Sequence, residues 1–93
     1  MQMDYDLKKP IAIINRQNGK VVKIVDNRQD YLTLYHQMCQ FNDVKMAIKV
    51  WCDFTNQTKL ELLRDFDLME LINCFSTRYI AQYCNGKRNH VEV

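Results

Sequence analysis

The chain is poor in the two residues that most often break regular structure: 93 residues contain two Gly and one Pro. So few glycines leave no phosphate-cradling loop, because such loops need several residues without a Cβ to close backbone N–H groups onto a phosphate. Long apolar runs are also missing. None approaches the ~18 residues needed to cross a bilayer, so no membrane association is expected. Histidine is scarce, with only His36 and His90. The four cysteines, Cys39, Cys52, Cys74 and Cys84, are scattered with no C-x-x-C. His36 and Cys39 lie three apart on one helical turn, but a zinc site needs a further pair of ligands. No metal and no other cofactor is expected. The opening residues, MQMDYDLKKP, are acidic and polar where a secretory signal is basic and then apolar. The sequence reads as a cytoplasmic protein whose cysteines are free thiols buried among apolar neighbours.

What is present fits one domain of 93 residues, with a polar lead-in over 1–10 and a tail over 87–93. Apolar residues make up 47%, enough for a core and against disorder. No cysteine and histidine stand in a pattern that supplies an activated thiolate, an orienting carboxylate and an oxyanion loop. The close carboxylates Asp65, Asp67 and Glu70 are explained by helix capping. A non-enzymatic protein is expected.

The patterning predicts an α+β fold: an N-terminal β-hairpin packed on three to four helices. Two β-branched runs, IAII and KVVKIV, flank Asn18-Gly19, a strong hairpin signal. With Gly19 as the bulge residue, Arg16 pairs with Lys20, Ile14 with Val22 and Ala12 with Ile24. A two-residue loop would instead pair Ile13 with Ile24. Residues 30–41 predict an amphipathic helix capped by Asp30, with Tyr31, Leu32, Leu34, Tyr35, Met38, Cys39 and Phe41 on one arc. Residues 44–54 fit two templates. Alternation puts Val44, Met46, Ile48, Val50, Cys52 and Phe54 on one face of a third strand. The spacing of Lys45, Lys49 and Asp53 makes a polar stripe on a helix, with Asp43 and Asn56 as caps. The helix is the better fit and the strand stays open. Thr58 and Glu61 form a capping box for a short helix over 59–65. Asp67 and Glu70 form a second box, with Phe66 and Leu71 at the staple positions. One unbroken helix is expected from Leu68 to Cys84, closed by Gly86.

The net charge of +2 is small, but its distribution is uneven. Residues 8–28 carry six cations against Asp26, whereas residues 53–70 carry five carboxylates against Lys59 and Arg64. A basic hairpin can lie along a nucleic-acid backbone with Arg16, Lys20 and Lys23 on phosphates. It can equally be a solvated edge ribbon whose lysines block edge pairing.

Residues 76–89, STRYIAQYCNGKRN, bear on this choice. They resemble the end of the recognition helix in phage-repressor-type helix-turn-helix domains. There a Ser- or Thr-led helix with a buried Ile closes in an Asn/Gly-Lys-Arg turn, matched by Ser76, Ile80, Asn85, Gly86, Lys87 and Arg88. The resemblance implies DNA contact by Thr77, Arg78 and Gln82; separately, the basic tail residues Lys87 and Arg88 can join the hairpin on phosphates. It covers about 14 residues, and upstream, Glu70 to Cys74 stand where that family has a small residue and a turn Gly.

Aromatic side chains give a different expectation. There are ten: Tyr5, Tyr31, Tyr35, Phe41, Trp51, Phe54, Phe66, Phe75, Tyr79 and Tyr83. A domain this small does not bury them all, and exposed Tyr and Trp are favoured interface anchors. Tyr35, Trp51 and Tyr83 are the candidate partner-binding residues. The primary expectation is a small cytoplasmic module that binds another protein to regulate or inhibit it, a profile shared by phage-encoded inhibitors. A homodimer is compatible with it. The alternative is a DNA-binding transcriptional regulator that uses the basic hairpin and the C-terminal helix.

Overall fold

The computed structural model describes residues 9–84. The expected C-cap Gly86, and Lys87, Arg88 and His90, lie outside the described residues. Seven elements follow one another: β1 (Ile11–Asn15), β2 (Val21–Val25), α1 (Arg28–Met38), α2 (Asn42–Thr55), α3 (Lys59–Arg64), α4 (Leu68–Phe75) and β3 (Tyr79–Tyr83). The fold is α+β: a three-stranded antiparallel sheet of order β2-β1-β3 with four helices.

The hairpin forms as its sequence predicts, in the expected register as far as Ile13 and shifted by one residue beyond it, so that Asn15 rather than Arg16 meets Lys20. Asn15 N–H donates to Lys20 O and Gly19 N–H to Asn15 O, so the loop is Arg16–Gly19. Gly19 supplies the positive φ of 72° that this loop needs. The Asn15 side-chain oxygen accepts from the N–H groups of Gln17 and Asn18, an Asx turn that sets the chain reversal. Ala12 pairs with Ile24 as expected. Ile14 pairs with Val21 rather than Val22, because a bulge between Ile13 and Ile14 takes up the extra residue.

Each helix is started by a side chain or by position. Asn27, not Asp30, caps α1, and its side chain accepts from Asp30 N–H at 2.8 Å. Residues 42–55 are helix, not strand, and Asn56 closes α2 in the left-handed conformation at φ 65°. Asp43 lies inside the first turn of α2, after the N-cap Phe41. The Thr58/Glu61 box on α3 is complete. Two hydrogen bonds, led by the one from the Thr58 backbone N–H and followed by one from the Thr58 side chain, hold the Glu61 carboxyl below its usual range, helped by the Arg64 charge. Asp67 caps α4 by accepting from Glu70 N–H at 2.9 Å.

The expected helix from Leu68 to Cys84 is two elements. The chain leaves α4 at Ser76, which is extended at ψ 134° and 5% exposed. The Ser76 hydroxyl oxygen accepts from the N–H groups of Arg78 and Tyr79, fixing the turn. Residues 79–83 then pair along the whole of β1. Asn73 explains why they stay there. Ala81 lies opposite Ile13 in a pair that exchanges no ladder hydrogen bonds, so its N–H and C=O point away from β1. Ala81 N–H donates to Asn73 Oδ1 at 2.7 Å, and Asn73 Nδ2 donates to Ala81 O at 3.0 Å. A side-chain amide thus takes the place of a neighbouring strand.

The core lies between one sheet face and the helices. Ile11, Ile13, Val25 and Ala81 from the sheet meet Tyr31, Leu34, Met38, Val44, Ile48, Leu62, Leu71, Ile72 and Phe75. Ala12 and Ile14 form a smaller cluster with Ile80 and Cys84 on the other side of the sheet. Cys39 is buried and Cys52 and Cys84 are half-buried, but Cys74 is exposed, against the expectation of four buried thiols. Among the described residues, no helix is long and apolar enough to cross a membrane.

Candidate protein-docking face

Helix α2 carries three lengthwise stripes because its sequence repeats every four residues in three phases. Val44 and Ile48 are buried, and Cys52 is half-buried beside them. Lys45, Lys49 and Asp53 form an exposed charged stripe, with Lys49 Nζ 3.1 Å from Asp53 Oδ2. Met46, Val50 and Phe54 form the third stripe, and these are 65%, 64% and 85% exposed. Trp51 borders that stripe at 43% exposed, and its ring meets Phe75 edge-on at 5.8 Å. The result is an apolar helix face turned to solvent. Leu60, in the first turn of α3, is exposed as well, at 81%. Exposed apolar residues scattered singly are ordinary; several on one helix face mark an interaction surface.

The three partner-binding candidates fall on three different elements. Trp51 sits on the exposed face and is half-anchored by Phe75. Tyr35 is half-buried, and its hydroxyl reaches Leu63 O at 2.6 Å and Phe66 O at 3.0 Å, so it ties α1 to the α3–α4 connection. Tyr83 is exposed on β3, with the Lys9 ammonium 5.6 Å from its ring centre. Sequence reasoning missed Met46, Val50 and Phe54 as surface residues. Their signal was an excess: with Val44, Ile48 and Cys52 already one face, a second apolar series had no room in the core.

The nucleic-acid candidates are placed as follows. Arg16 is exposed but engaged along the surface: Nε donates to Tyr79 O at 2.9 Å and Nη2 to Asn73 O at 3.3 Å. Lys20 is exposed beside the hairpin loop, and Lys23 lies 3.9 Å from Asp30. Thr77 donates both its N–H and its hydroxyl to Asp43 Oδ2, at 2.9 and 2.8 Å. Burial alone would raise the Asp43 carboxyl, but these bonds, the Val44 N–H and the Arg78 charge outweigh it and hold it low. Arg16, Thr77 and Arg78 meet with Asn15 and Gln17 around a shallow cleft of about 370 Å³. Gln82 is exposed on β3. Thr77 and Arg78 therefore lie on a turn and Gln82 on a strand. The recognition helix implied by the resemblance does not form over 76–84.

A second cleft of about 350 Å³ lies beside the charged stripe of α2, lined by Lys45, Ile48, Lys49, Cys52, Asp53 and Lys59. Burial raises the nearby Cys39 thiol above its ordinary value, with Lys59 pulling weakly the other way. His36 is exposed and Cys39 buried, so the two do not present a common ligand pair. Among the described residues there is no group of three or more His, Cys, Asp and Glu placed to hold a metal ion. No protein-family model, curated protein or solved structure matches the chain.

Proposed function

We propose that this chain is a non-enzymatic cytoplasmic binding module that docks a protein on the exposed apolar face of α2 and acts as a regulator or inhibitor through that contact. One observation carries the reading: Met46, Val50, Trp51 and Phe54 line one helix face and are 43–85% exposed. Removing these groups from water on docking supplies the driving force, at about 25 cal/mol per Å² of apolar area. Trp51 is the natural anchor, because it is large and already held on one edge by Phe75. The nucleic-acid alternative is weaker. Its most central cation, Arg16, is occupied by backbone carbonyls, and the Asp43 carboxylate sits beside Thr77, where a phosphate would have to approach.

The test compares the native chain with a Val50→Glu/Phe54→Glu chain. Both positions are exposed, so the variant is expected to melt within a few degrees of the native protein. Proteins held by the native chain from cells and released by the variant support the reading. An identical set held by both overturns it.

A further inference from the structure

We propose that the occupant of the α2 face is a second copy of this chain, packed antiparallel across a two-fold axis at the level of Trp51. The inference rests on the docking reading above and names its partner.

The spacing of the stripe is the first argument. Met46, Val50 and Phe54 recur every four residues, about 6 Å apart along the helix at its ~1.5 Å rise. A two-fold axis at Trp51 sets the same three residues of the second copy midway between them, about 3 Å from each in height. The two rows then interdigitate instead of colliding, which is how helix ridges fill grooves. The buried residues Val44 and Ile48 lie on the opposite side of α2, so each domain body points away from its mate.

Charge is the second argument. On one flank of the stripe stand Lys49 and Asp53, both more than two-thirds exposed. The same two-fold axis brings Lys49 level with Asp53 of the second copy, and Asp53 level with its Lys49. Both cross-contacts are of opposite sign, as an isologous interface requires of a self-complementary patch. Area is the third argument. Four side chains this exposed present on the order of 500 Å² per copy, or about 1,000 Å² for the pair, the threshold of a specific interface.

The test is sedimentation equilibrium on the full chain over about 1–500 µM, the range suited to an interface of this size. The native chain is expected to dimerise, and Val50→Glu to be monomeric. Lys49→Asp and Asp53→Lys each set like charges opposite one another, and each is expected to weaken the dimer about tenfold or more. Mixing these two singly swapped chains makes both cross-contacts attractive again, and the mixed dimer is expected to recover. That recovery does not depend on how well Val50→Glu folds.

A native chain that stays monomeric at the top of the range overturns the second-copy proposal. If Val50→Glu/Phe54→Glu also releases other proteins in that case, the docking reading survives with a different occupant. A dimer that tolerates Val50→Glu, with no recovery on mixing, places self-association elsewhere and overturns the proposal too.

Discussion

Replacing Asn73 with Leu tests the bracing of β3, on which the C-terminal part of the sheet depends. The variant loses two hydrogen bonds, Ala81 N–H to Oδ1 at 2.7 Å and Nδ2 to Ala81 O at 3.0 Å. Each such bond contributes about 1 kcal/mol net. Ala81 is 2% exposed, so water does not readily replace the lost acceptor. An orphaned buried N–H costs about 1–3 kcal/mol. These describe one and the same loss and bracket it at about 2–3 kcal/mol, a large share of the stability of a small domain. The melting temperature is expected to fall by about 10–20 °C. Urea unfolding followed by circular dichroism measures the loss, and hydrogen exchange at the Ala81 amide locates it. The exposed neighbour Cys74, changed to Ser, is the control and is expected to stay within about 0.5 kcal/mol of native. An Asn73→Leu loss below about 0.5 kcal/mol, with Ala81 exchange unchanged, would refute the reasoning.

Three further outcomes follow from named contacts. Tyr31→Phe removes the hydroxyl that accepts from the buried Leu68 N–H at 2.9 Å, and urea titration is expected to show a loss of about 1–3 kcal/mol. Asp43 has a lowered carboxyl pKa in the folded state, so its contribution is complete above about pH 4 and is lost as the pH falls through the lowered value. Asp43→Asn is therefore expected to flatten the acid limb of a stability–pH curve below about pH 4. In native protein, the exposed Cys74 is expected to react first with a thiol reagent and the buried, pKa-raised Cys39 last, as mass mapping of the labelled peptides would show.

The parts of this fold set by local chemistry were legible in the sequence. Asn18-Gly19 marked the hairpin, Thr58/Glu61 and Asp67 marked two helix starts, and Asn56 marked the end of α2. The parts set by partners distant in sequence were not. Phe75, Tyr79, Ile80 and Tyr83 recur at a helical spacing, so the Ser76 break looked continuous. In the structure Ala81 faces the helical core, whereas Ile80 belongs to the cluster on the other side of the sheet. Apolar residues on both sides of a strand erase the alternation that reveals it. What decides the matter is Asn73, eight residues before Ala81, and no local pattern announces that contact. The ambiguity over residues 44–54 has a related cause. Val44, Ile48 and Cys52 turn to the core and Met46, Val50 and Phe54 to solvent, and two helical series offset by two residues read as strand alternation. The candidate site was thus half visible: Trp51 was singled out for its type, while the stripe beside it was absorbed into a supposed strand face. Tyr35 was singled out for the same reason as Trp51, but its hydroxyl serves the fold.

The central claim is that the exposed face of α2 is covered by protein in the cell. A photoreactive residue in place of Val50, with another in place of the exposed loop residue Gln17 as reference, measures this directly. The account predicts cross-linked protein from position 50, including a species of twice the chain mass, and little from position 17. Equal yields from the two positions, or none from position 50, would contradict it.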